Sequence, residues 1–157
     1  MNDASYLPIL GRLPSGVFVL TVKQGDQTTG MLASWVMQAG FEPPMVSLAI
    51  RQGRYLTEWL TQKSPCVLNV LRADQLALLK HFGKGFEPNE PAFSDIPLNR
   101  DPRGVPLLAD SLGHLELEIA NFVDSGDHRI FLATILGGQL NSEGQPLVHI
   151  RKNGAHY

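Results

Sequence analysis

The sequence predicts a mainly β fold, a small antiparallel barrel that carries two short helices. About seven segments are rich in β-branched or aromatic residues, or alternate apolar with polar positions. Only two short stretches repeat apolar residues at the i, i+3, i+4 spacing of an amphipathic helix. Strands and helices do not alternate regularly along the chain, so a doubly wound parallel sheet is not expected.

The first part of the chain contains three strand signals. Residues 16–23, GVFVLTVK, are rich in β-branched residues, and the turn-rich QGDQTTG follows them. Residues 30–44, GMLASWVMQAGFEPP, fit neither one helical stripe nor a clean alternation, so composition leaves a buried helix and a strand pair both open. Residues 45–51, MVSLAIR, alternate large apolar side chains with smaller or polar ones, which predicts another strand.

The middle of the chain contains both predicted helices. Residues 54–63, RYLTEWLTQK, and residues 73–82, ADQLALLKHF, each place their large apolar side chains on one face, and Asp74 is a candidate N-cap of the second helix. The apolar residues 65–71, PCVLNVL, predict a short strand between them. Residues 83–111 are rich in Gly, Pro and Asp and predict a long surface loop, which in compact domains is often functional.

The last third returns to strand patterns, in residues 113–122, 128–136 and 146–151. Between the first two of these, Asp127 and His128 follow Gly126, which favours a hairpin turn. The carboxylate next to the histidine in sequence could orient its ring or raise its pKa. An exposed histidine in a simple turn is the alternative interpretation.

Composition restricts the classes of protein that the chain can belong to. Its 157 residues suit a single domain, 1–157, and 43% hydrophobic with 18% charged residues is typical of a globular protein. The formal net charge of −2 argues against a general nucleic-acid binder. There is no secretory signal pattern, and no apolar run approaches the roughly 20 residues that span a bilayer. We therefore expect a cytoplasmic protein with neither a nucleic-acid nor a membrane partner.

The sequence lacks several common catalytic, nucleotide-binding and metal-binding motifs. It has no G-x-S-x-G elbow and no P-loop, and FGKGFEP lacks the third glycine and the preceding strand of a dinucleotide fingerprint. The five histidines show no metal-ligand spacing, so no metal site is expected. The single cysteine, Cys66, lies in an apolar segment and is expected to be a buried, inert thiol.

Several segments in order resemble the flavin reductase-like family, whose members bind FMN in a split β-barrel. The similar segments are GRLPSGVFVLTV, GMLASWVMQAGFEPPMVSLAI, VLNVL and GDH, and the resemblance runs from Leu10 to Tyr157. It implies a dimeric, antiparallel, Greek-key-like split barrel formed by one flavin reductase-like domain. It also favours the strand interpretation of residues 30–44, with a bend at about Gly40 and a proline-terminated lead into the next strand.

A narrower resemblance concerns two further segments. LLKHFGKGFEPNEPAF and the terminal HIRKNGAHY are similar to the C-terminal flavin reductase module of cyanobacterial flavodiiron proteins. In those proteins a diiron domain and a flavodoxin domain precede this module. The resemblance therefore implies that the chain is either a free-standing relative or an excised domain. It also implies a homodimer. The electron acceptor would be either fused flavodiiron domains or a separate protein.

The resemblance also implies which residues contact the flavin. The family's A-S-W segment lies against the isoalloxazine ring, which assigns cofactor contacts to Leu32, Ala33, Ser34 and Trp35. Backbone N–H groups and a hydroxyl would reach the polar edge of the ring there, where they can stabilise charge that develops on reduction. Small side chains make sense at this place because they let the backbone approach a flat ring.

A second set of implied contacts follows the next strand. The segment IRQGRY would face the ribityl phosphate, with contacts from Ile50, Arg51, Arg54 and Tyr55. Arginine suits this task because a guanidinium matches two phosphate oxygens at once. A solvated surface charge is the alternative for Arg54.

A third set follows the second predicted helix. The segment HFGKG resembles a part of the family that also reaches the flavin, which adds His81, Phe82, Gly83 and Lys84, the last as a phosphate partner or a surface charge. His128 corresponds to the histidine of the family's G-D-H motif and resembles a contact on the nicotinamide side, so we assign it as the catalytic residue.

The function that the resemblance implies is NAD(P)H:flavin oxidoreduction. A hydride would pass from the nicotinamide to N5 of FMN, with FAD as the alternative cofactor, and electrons would pass on to a partner protein, a diiron centre, dioxygen or free flavin. This chemistry belongs to the cofactor and demands no nucleophile or metal. The reductase component of a two-component monooxygenase, a non-enzymatic FMN electron-transfer module, and a barrel that binds haem or a pyridoxal derivative remain as alternatives. The choice between NADH and NADPH stays open.

Overall fold

The computed structural model describes residues 4–157, so the first three residues of the expected domain lie outside it. The chain forms eleven strands and three short helices in the described part. In chain order they are α1 (Leu7–Leu10), β1 (Ser15–Gly16), β2 (Phe18–Gln24), β3 (Gln27–Ala33), β4 (Val36–Phe41), β5 (Pro44–Arg51), α2 (Tyr55–Thr61), β6 (Cys66–Val70), α3 (Leu76–Gly83), β7 (Leu98–Arg100), β8 (Pro106–Leu108), β9 (Gly113–Ser125), β10 (His128–Leu140) and β11 (Val148–His149). The prediction of a mainly β, antiparallel fold is confirmed.

A seven-stranded antiparallel sheet organises the molecule, in the order β3-β2-β6-β9-β10-β5-β4. Its two edge strands, β3 and β4, are neighbours in sequence, and only Ser34 and Trp35 separate them. Because consecutive Cα atoms lie about 3.8 Å apart, the two edges must approach each other at this junction. The sheet is therefore strongly curled, and the Trp35 carbonyl accepts a hydrogen bond from Ala49 N–H of β5 at 2.9 Å.

The junction corrects the bend that we placed at about Gly40. The chain leaves its pairing with β2 at Ala33 and joins β5 at Val36, so the change of direction lies at Ser34 and Trp35. Gly40 lies within β4 beside a register irregularity. The physical reason is that the two halves of residues 30–44 belong to opposite edges of one sheet, which no local pattern reveals.

The core lies inside the curl of the sheet. It contains Leu20, Leu48, Leu68, Leu117 and Phe131, each with 1% or less of its surface exposed, and the amphipathic α2 covers it. Trp59, on the apolar face of α2, is buried and contacts Tyr55 edge-on. Each large apolar side chain buried in this way contributes on the order of 1.5–3 kcal/mol.

Cys66 is also part of this core. Its side chain is fully buried, and burial raises the pKa of the thiol to about 12. A thiol that is both inaccessible and protonated is a poor nucleophile, which agrees with the inert thiol expected from the sequence.

The helices agree with the prediction in place but not in detail. α2 and α3 lie within or close to the two predicted ranges, whereas α1 was not predicted. Asp74 is not the cap of α3, because the helix begins after Gln75 and Asp74 instead pairs with Arg72 at 3.0 Å. None of the helices in residues 4–157 is both long and apolar enough to cross a membrane.

The segment 83–111 is not the open surface loop that its composition predicts. It contains the β7–β8 hairpin, and Ala92, Val105 and Leu108 within it are almost completely buried. The Asp101 carboxylate, also buried, accepts hydrogen bonds from the backbone of Arg103 and Val105. The segment packs as a folded flap against the sheet, which a Gly- and Pro-rich composition cannot show.

Candidate functional site

A cavity of about 350 Å³ opens where the two edges of the sheet meet. The β3–β4 junction, the end of β5, the end of α3 and the segment after β11 enclose it. Of the residues that the resemblance implied, the cavity is lined by Leu32, Ala33, Ser34, Trp35, Ile50, Arg51, Arg54, Phe82, Gly83 and Lys84. These residues come from three separate parts of the sequence, and the curl of the sheet brings them together.

The inner wall of the cavity is apolar and buried. Ala33, Ile50 and Phe82 have 7%, 2% and 1% of their surfaces exposed. Phe82 is held by Phe86 and Phe93, whose ring centroids lie 6.1 and 6.0 Å from its own. The inner wall is therefore apolar and supported by packed aromatic rings.

The rim of the cavity is cationic. Arg51, Arg54 and Lys84 are exposed there, and no ion pair involves their side chains within the described part of the chain. The hydroxyl of Thr57 in α2 donates to the Arg51 carbonyl at 2.8 Å, which ties the start of that helix to the end of β5. These three cations give the rim a local positive charge, although the chain as a whole is acidic.

Tyr55 supports this rim from outside the cavity. Its hydroxyl donates to the Phe86 carbonyl at 2.6 Å and lies 2.9 Å from the Thr29 hydroxyl. Desolvation of the partly buried ring raises the pKa of Tyr55. The residue therefore links α2 to the chain just after α3, and it faces an adjoining cavity of about 310 Å³ that also contacts Arg54 and Lys84.

His81 does not belong to this cavity. Its Nε2 lies 2.7 Å from the Ala92 carbonyl, and its ring lines a different groove on the other side of α3. Neighbouring residues on a helix point in directions about 100° apart, so Phe82 reaches the inner wall of the cavity while His81 cannot. The segment HFGKG thus contributes three of its implied residues, Phe82, Gly83 and Lys84.

His128 lies directly behind the cavity wall. Gly126 and Asp127 form a two-residue turn between β9 and β10, and His128 pairs in register with Arg51 of β5. Its side chain is not the exposed histidine of a simple turn, because only 8% of the residue is accessible. Its ring centroid lies 4.7 Å from that of Trp35.

Two hydrogen bonds hold the His128 ring. Nδ1 lies 2.7 Å from Asp127 Oδ1, and Nε2 bonds to the hydroxyl of Tyr157. The bond from His128 is the main cause of the lowered pKa of the Asp127 carboxyl. The predicted effect of Asp127 on the orientation of the ring is thus visible in the structure.

Sequence reasoning missed other residues of the cavity. They are Val17, Met31, Ala49, Leu79, Gly85, His149 and Tyr157. Met31, Ala49 and Gly85 lie beside an implied residue, so the signal for these three was adjacency. Tyr157 and His149 lie in the segment HIRKNGAHY. Its resemblance to the reductase module of flavodiiron proteins implied a relative but no contact with the flavin. Among residues 4–157 no group of three or more His, Cys, Asp or Glu side chains could hold a metal ion.

Comparison with known proteins identifies the class that this fold and cavity define. The family model described as "Flavin reductase like domain" matches residues 10–156, so the chain belongs to that family. A diflavin flavoprotein A from Nostoc sp. is 40% identical over 150 residues, which cover 94% of this chain and 26% of the relative. Diflavin flavoprotein A 1 of Synechocystis sp. is 33% identical and is covered to 27%, while 99% of this chain is matched. The chain thus spans about a quarter of the length of these relatives.

Solved structures agree with this assignment. An NADH:FAD oxidoreductase from Streptomyces globisporus superposes with a TM-score of 0.84 at 26% identity, covering 91% of this chain and 85% of that one. A second structure of that oxidoreductase, in complex with NAD and FAD fragments, has a TM-score of 0.82 and covers 94% and 86% of the two chains. The predictions of a flavin reductase-like family member, of similarity to part of a longer cyanobacterial flavoprotein and of an enzyme of the flavin reductase type are confirmed.

Proposed function

We propose that the chain is an NAD(P)H-dependent flavin reductase whose cavity at the β3–β4 junction holds FMN. The observation that carries the proposal is the combination of an apolar inner wall with three unpaired cations on one rim. A flavin mononucleotide has the same division, with a flat apolar ring system at one end and a phosphate at the other. The family relationship supports the same conclusion.

The cavity suits the flavin ring system in its volume and in the small side chains of its wall. A volume of about 350 Å³ lies within the usual range for small-ligand sites, roughly 300–1,000 Å³. Ala33, Ser34 and Gly83 have small side chains or none, so the backbone can approach a flat ring closely. Ser34 adds a hydroxyl that can donate to or accept from the polar edge of the ring.

The rim fits the phosphate. Arg51 and Arg54 can each present two parallel N–H donors, and Lys84 adds a point charge at the end of α3. Gly85 has a φ of +75°, which ends that helix and turns the chain so that Lys84 stays on the rim.

The adjoining cavity favours FMN over FAD. It shares Arg54 and Lys84 with the first cavity and is also lined by Glu87 and Glu90, so the part of FAD beyond its first phosphate would meet these carboxylates if it entered there. A second phosphate beside these carboxylates would be repelled. We therefore infer that FMN is the preferred flavin.

His128 is the residue that we propose to contact the nicotinamide. When bound, the flavin supplies the chemistry, accepting a hydride from the nicotinamide at N5 and passing the electrons to a second acceptor. Asp127 fixes the orientation of the His128 ring through Nδ1, which leaves Nε2 directed toward Tyr157 and the wall of the cavity. A held imidazole in this position can orient the carboxamide of the dinucleotide for transfer.

The electron acceptor, and the role of the chain as one domain of a larger electron-transfer system, are further proposals. We infer that residues 1–157 act as one reductase domain, and that electrons leave it for another domain or partner protein. The support is the length of the diflavin flavoprotein relatives, of which this chain matches about a quarter.

The function is tested with the purified protein and added FMN, FAD and riboflavin. We expect FMN to bind more tightly than FAD by fluorescence titration, and anaerobic NADH or NADPH to bleach the visible absorption of the bound flavin. Retention of FMN through gel filtration supports a resident cofactor, whereas its release supports the reductase of a two-component monooxygenase. Binding without bleaching by either dinucleotide would leave only an electron-transfer module, and absence of flavin binding would refute the proposal.

The His128→Ala variant assigns the role of that residue within the same experiment. We expect its flavin affinity to stay within about twofold of the wild type, while the rate of flavin bleaching by the dinucleotide falls by roughly 10²-fold, the lower end of what positioning groups contribute. His114, a partly buried histidine of β9 outside the cavity, supplies the control substitution His114→Ala. Equal rates for both variants would exclude His128 as the nicotinamide contact.

We further propose that the curled sheet is the split β-barrel of the family and that two chains form a dimer. On the outer face of the sheet, Leu132 pairs in register with Ser47, and Ser47 with Met37. Met37 and Phe41 on the edge strand β4 are 68% and 89% exposed, which is unusual for large apolar side chains and typical of an interface. Sedimentation equilibrium should show twice the chain mass of 17.2 kDa, and a single-chain mass would contradict the dimer.

A further inference from the structure

The segment after β11 returns across the molecule to the cavity. Arg151 N–H donates to the Gly11 carbonyl at 3.0 Å, and Gly154 N–H donates to the Leu7 carbonyl at 2.7 Å. The guanidinium carbon of Arg151 lies 5.4 Å from the centroid of the Trp35 ring. These contacts anchor residues 151–154 against the start of the chain.

Gly154 sets the path of the segment. A Cβ built on it would lie 2.3 Å from Leu10 Cβ, so only glycine allows the backbone to pass this close to α1. The two residues that follow are exposed and separate this anchor from Tyr157. Tyr157 is therefore brought back to the cavity by this anchor and a short exposed connection, in which Arg151 donates to the His156 carbonyl at 3.2 Å and Ala155 N–H to Asn153 Oδ1 at 2.9 Å.

Tyr157 docks on Trp35 of the cavity lining and on His128 behind it. Its ring centroid lies 5.0 Å from that of Trp35 and 6.0 Å from that of His128, and its hydroxyl bonds to His128 Nε2. Yet 59% of the residue is exposed, so these contacts hold it on one side only. Neither Trp35 nor His128 belongs to the main hydrophobic core, so the packing of that core does not depend on these contacts.

The hydrogen bond at His128 Nδ1 determines which atom donates in the bond between His128 Nε2 and the Tyr157 hydroxyl. The Asp127 carboxylate only accepts, so His128 Nδ1 carries the proton that it donates there. In a neutral imidazole Nε2 is then an acceptor, and the Tyr157 hydroxyl donates to it. The free protein thus places a flat ring with a hydrogen-bond donor against Trp35 and His128.

We propose that Tyr157 occupies the nicotinamide position in the free protein and is displaced when the dinucleotide binds. A nicotinamide is also a flat ring, and its carboxamide N–H₂ can donate to His128 Nε2 as the Tyr157 hydroxyl does. The two cannot make that bond together, because the neutral ring has a single acceptor nitrogen. This inference rests on the proposed function and adds a residue that sets the apparent affinity for the dinucleotide.

The test uses the FMN-loaded wild type with Tyr157→Ala, Tyr157→Phe and the exposed neighbour His156→Ala as control. If Tyr157 leaves the nicotinamide position free for only a fraction of the time, the apparent affinity for the dinucleotide is reduced by that fraction. Removal of a Tyr157 ring that is docked for roughly 70 to 90% of the time therefore strengthens dinucleotide binding about three- to tenfold. We expect this fall in the KM for NADH or NADPH in Tyr157→Ala and a smaller fall in Tyr157→Phe. Isothermal titration calorimetry with NAD⁺ or NADP⁺ should show the same order without any turnover.

The possible outcomes distinguish failure of this inference from failure of the proposed function on which it rests. A wild-type protein that neither binds FMN nor oxidises a dinucleotide refutes the proposed function and this inference with it. A wild-type protein that does both, with Tyr157→Ala showing an unchanged or higher KM and dissociation constant, refutes the inference alone. A loss of FMN affinity in Tyr157→Ala at constant KM would likewise refute it, since Tyr157 would then be a flavin contact.

Discussion

Replacing both Arg54 and Lys84 with alanine is expected to raise the dissociation constant of FMN about 10- to 100-fold. Both side chains lie on the rim of the cavity without an ion-pair partner among residues 4–157, so they are available to a phosphate. Both are also exposed, so solvent screening keeps each contact below the roughly 1.5–3 kcal/mol typical of hydrogen bonds to charged groups. Each tenfold change in affinity corresponds to about 1.4 kcal/mol.

The ligand itself supplies the sharpest control for this prediction. Riboflavin has the ring and the ribityl chain but no phosphate, so its dissociation constant should change less than about twofold in the double variant. Lys80→Ala with Lys152→Ala removes two exposed cations outside the cavity and should leave FMN binding close to that of the wild type. An equal loss for FMN and riboflavin would mean that the substitutions disturb the wall and that the rim does not bind the phosphate.

Replacing Arg103 with alanine is expected to lower the free energy of unfolding by about 3–5 kcal/mol, as loss of one member of a buried ion pair usually does. The Arg103 guanidinium lies 2.6 Å from the Asp101 carboxylate, whose side chain is completely buried. It also donates to the carbonyls of Leu117 and Cys66 at 2.7 and 3.1 Å, which fastens the segment 83–111 to β6 and β9. The substitution leaves a buried charge and two carbonyls without this donor.

Urea denaturation followed by circular dichroism measures this effect. Asp124→Ala is the matched control, since Asp124 forms a similar pair with Arg129 at 2.6 Å but is 54% exposed. Exposed pairs contribute little to stability, so the control should unfold at nearly the same urea concentration as the wild type. If Arg103→Ala were as mild as Asp124→Ala, the segment 83–111 would not depend on this ion pair for its attachment.

The local pattern of the sequence was sufficient for most of the secondary structure. Alternation in residues 45–51 and 113–122 predicted strands β5 and β9, because a strand with one face in the core needs that period. The apolar faces of α2 and α3 were visible for the same reason. The segment 83–111 was misjudged because its order comes from a few buried residues and one ion pair with distant strands.

The site was predicted through resemblance more than through chemistry. The residues of the β3–β4 junction have no unusual side chain apart from Trp35, so nothing in their types marks a binding site. His81 and Phe82 are neighbours in sequence, yet the helix directs Phe82 into the cavity and His81 away from it. Tyr157 was missed because its partners, Trp35 and His128, lie far away in sequence.

By itself the sequence determined the class of fold, the strands and helices of the core and the inert thiol of Cys66. These follow from hydrophobic period, composition and short-range geometry, which act between neighbours in the chain. Only the tertiary structure decided that the strands on either side of Ser34 and Trp35 form opposite edges of one curled sheet. That closure creates the cavity, places His128 behind its wall and brings Tyr157 to its mouth, because each depends on contacts between residues remote in sequence.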